Sequence, residues 1–215
     1  MQSLVIHSNR IFFEDTLEER VPDFYEWLSR ERGATAEFME LDSRYKNEKE
    51  KNPSLLREIY KLALFGLSKD ELLAYCGKYN EFYFNKNVYA RLRELKEIME
   101  ILILSSYPAE LYEHLVSEGA ADKIFGAQGR FDSNGHIFDL KEVELKYADN
   151  VLIKMKQLGF GFEFTLSPNV YGLLETLIDF MVERGLREND ITLVGKNMIS
   201  LPLQKVSFRH LDNLP

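Results

Sequence analysis

Two serines, Ser105 and Ser106, follow directly after the apolar run at residues 101–104. Such a run between charged helical patterns is typical of a buried strand in a parallel sheet. Pro108 fits the first turn of a following helix, because its missing N–H has no intrahelical partner there. Hydroxyl groups at the carboxyl end of a strand, beside the free amides of a helix N-terminus, can bind an anion. The alternative is that one serine only caps the helix and binds no ligand.

The elements that position these serines alternate along the chain. Strands that alternate with helices predict an α/β fold with a doubly wound, Rossmann-like parallel sheet. Asn134-Gly135, between Phe131 and Ile137, predicts a β-hairpin. The predicted strands are residues 3–6, 101–104, 124–125 and 191–194, and an extended aromatic segment covers residues 160–166. The predicted helices of this part of the fold are residues 88–99, 110–118, 147–158 and 173–184.

The first strand is separated from the second by a long helical pattern. Phe24, Trp27 and Leu28 have helical spacing, and Ser68 followed by Glu71 has the spacing of a capping box. The sequence therefore predicts an α/β core domain formed by residues 1–13 and 86–215. A helical cap domain at residues 14–85 is predicted to be inserted in this core.

Length and charge restrict the class of protein. The chain has 215 residues, of which 45% are hydrophobic and 29% charged, enough for a core domain with an inserted cap. The formal net charge of −8 and the absence of a basic stripe predict no nucleic-acid partner. The single cysteine, Cys76, cannot form an internal disulfide and is expected to be a buried or half-buried small residue. With no leader and no long apolar run in the sequence, we expect a cytoplasmic protein without a membrane partner.

The order of these elements resembles the haloacid-dehalogenase-like (HAD-like) phosphatases. It fits best the phosphoserine-phosphatase-like branch, in which a helical cap lies between the first and second motifs. Residues 194–203, VGKNMISLPL, align without a gap with the family pattern V-G-D-G-x-N-D-x-P-L. The first glycine, the proline and the last leucine agree, but Lys196 and Ser200 stand at the two acidic positions. The same alignment places Leu173 at the position of the family's motif lysine.

The first motif departs from the family in the same way. The family has D-x-D-x-T after an apolar strand, with the first aspartate as nucleophile and the second as acid/base. The segment IHSNRIF places His7 and Asn9 at these positions, and a shift of one residue would place Ser8 and Arg10 there. The first register is preferred because asparagine resembles aspartate. Neither register provides a carboxylate, and of the family's functional residues only Ser105 is kept.

These substitutions remove what the family's chemistry needs. Phosphoryl transfer through an aspartyl-phosphate requires a carboxylate nucleophile, and Mg²⁺ prefers hard oxygen ligands. A lysine ammonium at a magnesium position would repel the metal by about 4 kcal/mol at 4 Å and intermediate dielectric. The resemblance therefore implies the family's fold without its mechanism. We expect no cofactor, and Mg²⁺ only if the protein is an active phosphatase.

The same substitutions suggest a metal-free pocket. Lys196 and Asn197, together with Ser105 and Ser106, are the candidate residues for binding a phosphate or a carboxylate. In the alternative interpretation, Lys196 pairs with a nearby acid or points to solvent, and side chains fill the cleft that is the active site in the phosphatase family.

Three function classes follow. The first is a catalytically silent protein that binds a small anionic ligand or a protein partner. The alternative is a divergent HAD-superfamily hydrolase that acts on a small phosphate ester, which would need a carboxylate from elsewhere, such as Glu14, Asp15 or Asp190. The third is a structural subunit with a closed cleft. Magnesium-dependent turnover separates the second class from the others.

Other candidate groups have weaker patterns. One role considered for His7 is that of a phosphohistidine nucleophile, although a histidine at the end of a strand is more often structural. His114 and His136 are expected at the surface, and none of the histidines has metal-ligand spacing. The aromatic residues 79–89 are expected to pack where the cap rejoins the core, or to form a surface for a partner.

Overall fold

A sheet with five strands in the described part of the chain forms the centre of the fold. The computed structural model describes residues 2–7, 12–13, 21–48, 54–141, 182–185 and 191–194. The order of the strands across the sheet is β4-β3-β2-β1-β5. Neighbouring strands are parallel except β4, which is antiparallel to β3. The strands are β1 (Gln2–His7), β2 (Met99–Pro108), β3 (Lys123–Phe131), β4 (Ile137–Lys141) and β5 (Ile191–Val194).

The register of the sheet brings the carboxyl ends of three parallel strands together. Ile6 of β1 lies opposite Ile103 of β2 on one side and Val194 of β5 on the other. His7 is paired with Leu104. The predicted α/β fold with a Rossmann-like parallel sheet is confirmed.

The first four of the five helices described between β1 and β2 lie in the region that the sequence predicts to be a helical cap. They are α1 (Phe24–Glu31), α2 (Thr35–Glu48), α3 (Ser54–Leu64) and α4 (Lys69–Tyr83). Local signals set their limits: Asp23 caps α1, and Ser68 forms a reciprocal capping box with Glu71 at the start of α4. The exact boundaries of a cap domain at residues 14–85 remain a prediction.

The junction between α5 and β2 differs from the expectation. The predicted helix 88–99 ends earlier, since α5 spans Lys86–Lys96 and Met99 already pairs with Gln2 in the sheet. The predicted strand 101–104 is correspondingly longer at both ends. Helical spacing continues to Met99, but pairing with β1 buries this side chain and overrides the local pattern.

The segment after β2 also differs from the prediction. β2 continues to Pro108, with an irregularity in its pairing between Leu104 and Pro108. The predicted helix 110–118 is a 3₁₀ turn (Ala109–Tyr112) followed by the short helix α6 (Glu113–Ser117). Pro108 is the residue before the turn rather than part of its first turn, and its φ of −54° and ψ of 140° are extended. The fixed φ of proline suits both positions, so the sequence does not separate them.

The hairpin predicted at Asn134-Gly135 is confirmed between β3 and β4. The side chain of Asp132 accepts hydrogen bonds from the backbone N–H groups of Asn134 and His136. Gly135 has a φ of 81°, which favours glycine at this position. β3 is longer than the predicted strand 124–125, because its second half pairs with β4.

The aromatic segment at residues 79–89 packs at the junction of the helices with the sheet. Phe84 stacks on Phe12 with ring centroids 6.1 Å apart, and Phe13 contacts the edge of Tyr79 at 5.1 Å. The backbone N–H of Asn85 donates to the carbonyl of Phe12 at 2.8 Å. The interpretation of this segment as packing where the helices rejoin the core is confirmed.

The helices are also joined to the hairpin through the backbone. The N–H of Gly66 donates to the carbonyl of Ile137 at 2.9 Å, and the N–H of Ile137 donates to the carbonyl of Leu67 at 2.8 Å. Arg57 of α3 forms an ion pair with Asp139 of β4 at 2.5 Å. The segment between α3 and α4 is therefore held against the beginning of β4.

Three side chains from the sequence analysis have clear positions. Cys76 is 2% exposed, as expected for a small buried residue. The expectation that His114 lies at the surface is wrong, because its ring is half-buried and packs edge-on against Phe84 at 4.9 Å. His136 is exposed, as expected. No helix in the described part of the chain is both long and apolar enough to cross a membrane.

Candidate functional site

The carboxyl edge of the sheet is where the sequence places the candidate site. His7 ends β1, and Ser105 follows its partner Leu104 in β2, so the backbones of His7 and Ser105 lie at the same edge. The structure thus brings together two of the residues singled out in the sequence. Asn9, Leu173, Lys196 and Asn197 lie outside the described residues, and so do the predicted segments 147–158 and 160–166 and most of helix 173–184.

Ser105 is fully buried and hydrogen-bonded within the protein. Its Oγ accepts a hydrogen bond from the backbone N–H of Tyr107 at 3.0 Å. The same hydroxyl donates to the phenol oxygen of Tyr112 at 3.3 Å. A hydroxyl group has one proton, so Ser105 can donate to a bound anion only if the bond to Tyr112 is given up. Binding of an anion by Ser105 and Ser106 remains a prediction.

A cavity of about 690 Å³ lies between the helices and the end of β2. Its volume is within the usual range of ligand-binding clefts. Tyr107 reaches it from the carboxyl end of β2 and Phe13 from the segment after β1, while the other lining residues come from α1 to α4 and the residues before α1. Tyrosine is the most frequent of these residue types, at positions 25, 45, 60, 79, 83 and 107.

Asp23 provides the best-defined polar group in this cavity. Its Oδ1 accepts a hydrogen bond from the N–H of Tyr25 at 2.9 Å, which makes it the N-cap of α1. Its Oδ2 accepts a hydrogen bond from the hydroxyl of Tyr107 at 2.7 Å. One carboxylate thereby connects the start of a helix to the end of a central strand, and its position is fixed from both sides.

The environment of this carboxylate disfavours negative charge. Asp23 reaches solvent through the cavity, yet protein surrounds most of the group, and this burial raises its pKa above the ordinary value. The hydrogen bonds from Tyr107 and Tyr25 oppose that effect by stabilising the carboxylate. Burial also raises the pKa of Tyr25, Tyr60 and Tyr107 well above 10, so these tyrosines keep their protons.

The basic residues of the cavity already have acidic partners. Arg30 pairs with Glu26 at 3.3 Å on α1, and Lys46 pairs with Asp42 at 2.5 Å on α2. Asp23, by contrast, forms no ion pair within the described part of the chain. Among the described lining residues, the cavity is therefore left with one carboxylate not balanced by a cation.

The sequence analysis did not identify this tyrosine cavity. Tyr25, Tyr60 and Tyr107 lie on three separate elements, and no local spacing shows that they converge. The one local signal was the segment Val21-Pro22-Asp23, which indicates the start of a helix but not a binding group.

Comparison with known proteins identifies the fold. No protein-family model matches the chain, and no curated protein matches it. Among solved structures, an HAD-family hydrolase from Salmonella enterica serovar Typhi superposes with a TM-score of 0.60 at 13% identity, over 90% of this chain and 55% of the hydrolase. A substrate-bound phosphoserine phosphatase gives a TM-score of 0.57 at 14% identity, over 91% of this chain and 78% of the phosphatase. A Bordetella pertussis protein of unknown function gives a TM-score of 0.53 at 13% identity, over 86% of this chain and 96% of the Bordetella protein.

This chain has the HAD-like fold. The matches confirm the resemblance to phosphoserine phosphatases at the level of the fold. The chain spans little more than half the length of the Salmonella hydrolase.

The described residues of this HAD-like fold do not fit a magnesium ion. Mg²⁺ needs several hard oxygen ligands, usually including carboxylates. Within the described ranges, the carboxyl edge of the sheet carries His7 and the internally bonded Ser105. Asp23 is joined to the end of β2 through the hydroxyl of Tyr107, but it is a single carboxylate. No group of three or more His, Cys, Asp or Glu side chains suitable for a metal occurs among the described residues.

Proposed function

We propose that this protein keeps the scaffold of an HAD-like phosphatase but binds a small anionic ligand without hydrolysing phosphate esters. The observation that carries the proposal is the residue at the end of β1. This strand lies between β2 and β5 and ends in His7, the residue that the preferred sequence alignment puts at the position of the family's nucleophilic aspartate. Histidine cannot form an aspartyl-phosphate, so the family's covalent intermediate is not available at this position.

The remaining motif positions support the same proposal. Asn9 stands where the acid/base aspartate would be, and Leu173 where the motif lysine would be. Lys196 replaces an acidic residue two positions after the end of β5. A fixed positive charge in that place favours a phosphate or carboxylate and disfavours a divalent cation.

The experiment has two parts, of which the first tests catalysis. Purified protein is assayed with p-nitrophenyl phosphate and with phosphoserine, once with Mg²⁺ and once with a chelator. We expect no turnover above the buffer rate in any condition. Magnesium-dependent turnover that follows the protein through successive purification steps would overturn the proposal and point to a carboxylate outside the aligned motifs.

The second part tests anion binding. Inorganic phosphate should raise the melting temperature of the native protein, because a ligand that binds only the folded state stabilises it. The Lys196→Ala variant should lose this shift. Lys86→Ala, which removes an exposed lysine at the start of α5, is the matched control and should keep it. Equal shifts in both variants would show that Lys196 does not bind the anion.

A further inference from the structure

His114 lies where α6 and the 3₁₀ turn before it pack against α4. Its ring contacts Phe84 edge-on at 4.9 Å. The Nε2 atom is buried and has no hydrogen-bond partner within the described part of the chain. A neutral imidazole has one N–H donor, whereas an imidazolium has two and carries a charge that burial disfavours. The surroundings of His114 therefore favour the uncharged ring.

The other nitrogen of the ring lies beside a hydrogen bond that joins α4 to the turn. The Nδ1 atom of His114 is 3.4 Å from the amide nitrogen of Asn80 on α4. The same amide nitrogen donates to the carbonyl of Leu111 in the 3₁₀ turn at 2.8 Å. With a proton on both of its nitrogens, the ring would compete with Asn80 for this carbonyl and would still have no acceptor at Nε2. Protonation therefore acts against the bond between Asn80 and Leu111.

The groups nearest to the ring act in both directions. Burial lowers the pKa of His114 below its ordinary value of 6.5 and outweighs Glu118 and the carbonyl of Leu111, which favour protonation. Glu118, at the end of α6, is hydrogen-bonded to Tyr89 of α5, which lies beside Arg93. The nearest carboxylate thus has a partner on another helix.

The remaining titratable groups at this contact belong to α4 and to the turn. Glu110 lies one helical turn before His114, and burial raises its pKa, so Glu110 takes up a proton as the pH falls and opposes the effect of the histidine. Glu113 pairs with Lys69 of α4 at 3.7 Å. The effect of His114 must therefore be measured as a difference between the native protein and a variant without this imidazole.

We propose that protonation of His114 opens the contact between α4 and the 3₁₀ turn that follows β2. While the ring is neutral, Asn80 donates to Leu111 and holds the turn against α4. The turn ends in Tyr112, whose hydroxyl accepts the hydrogen bond of Ser105, so the opening reaches the carboxyl edge of the sheet. The inference goes beyond the proposed function, because it involves neither an anion nor hydrolysis.

Cys76 provides a natural probe of this opening. It is the single cysteine of the chain, it is 2% exposed, and it lies on α4 one helical turn before Asn80. The full chain is treated with 4,4′-dithiodipyridine under native conditions, and the rate is divided by the rate for N-acetylcysteine at the same pH. This ratio removes the pH dependence of the thiol itself, so the opening equilibrium around Cys76 is what changes it.

The expected size follows from proton linkage. In the open state His114 takes up a proton with the ordinary pKa of 6.5. Lowering the pH from about 7.5 to about 5.5 therefore increases opening by up to about tenfold through this group. His114→Phe keeps a ring against Phe84 but cannot be protonated, so the increase should be at least about threefold smaller than in the native protein. His114→Gln, which also does not titrate, should show the same loss and replaces the first variant if that one does not fold.

His136→Gln is the matched control, because His136 is an exposed histidine in the hairpin. This variant should keep the pH dependence of the native protein. Equal pH dependence in the native protein and in the His114 variants overturns the inference, and so does the same loss in His136→Gln. The assay contains no phosphate, so a protein that hydrolyses aryl phosphate overturns the proposed function and leaves this result unchanged.

Discussion

Gly126→Ala is the substitution whose effect can be worked out most directly from the structure. Gly126 lies in β3 and is buried beneath the junction between β2 and the 3₁₀ turn. A Cβ atom there would lie 2.7 Å from both the Cα and the N of Ala109, and 3.0 Å from the carbonyl oxygen of Tyr107. All three are backbone atoms, which cannot move aside as the end of a side chain can.

The size of the effect follows from these distances. Ordinary van der Waals contact begins at 3.4 Å, so β3 and the 3₁₀ turn must move apart by about 0.7 Å. Overpacking of this kind costs about 1–3 kcal/mol. For a chain of this length, a loss of 2 kcal/mol lowers the melting temperature by about 4–8 °C. The shift also moves Tyr107, whose hydroxyl holds Asp23 in the cavity.

The assay compares the unfolding of two alanine variants in urea. Gly77→Ala is the control, since Gly77 is exposed within α4 and a Cβ there meets nothing within 4 Å. Replacing glycine by alanine within a helix stabilises by up to about 1 kcal/mol. The two variants should therefore change the free energy of unfolding in opposite directions. If Gly126→Ala is as stable as the native protein, the close packing of β3 against the 3₁₀ turn is not as described.

Three further results are expected. Ser68→Ala should lower the free energy of unfolding by about 1 kcal/mol, because the capping box with Glu71 is lost; an unchanged urea midpoint would contradict this. Tyr79→Phe should cost about 1 kcal/mol by leaving the carbonyl of Pro22 without its donor, and equal stability by calorimetry would show that this bond contributes nothing. The pKa of Asp23 is raised in the folded state. Its contribution to the free energy of unfolding is therefore full at a pH below 3.8, the pKa of the group in the unfolded chain, and is lost as the pH rises through the folded-state pKa. Stability measured against pH should show this loss in the native protein and not in Asp23→Asn, and parallel curves would refute it.

The helices were predictable because their limits depend on neighbouring residues. The capping box at Ser68 and the glycines at positions 33 and 66 are local signals, and the structure places helix ends at all three. The length of β2 was not predictable in the same way. Met99 follows a helical pattern, and only its pairing with β1, nearly a hundred residues away in the chain, makes it part of a strand.

The candidate site was predictable only in part, for a similar reason. The position of Ser105 in the second half of a central strand, next to the end of β1, follows from the apolar run before it. Its hydrogen bonds with Tyr107 and Tyr112 depend on how the chain turns after β2, which the sequence pattern did not specify. The tyrosine cavity is formed by side chains from distant elements, so residue spacing along the chain carries no signal for it.

The backbone connection between the helices and the hairpin determines how the cavity can open. A rigid rotation of α3 and α4 away from the sheet would break both hydrogen bonds of Ile137, to Gly66 and Leu67. α2 is held less firmly, because Phe38 is the one buried side chain among its fourteen residues. Segments with few buried contacts unfold locally at the lowest free energy. Of the helices that line the cavity, α2 is therefore the one that we expect to open locally first, without movement of α3 and α4 away from the sheet.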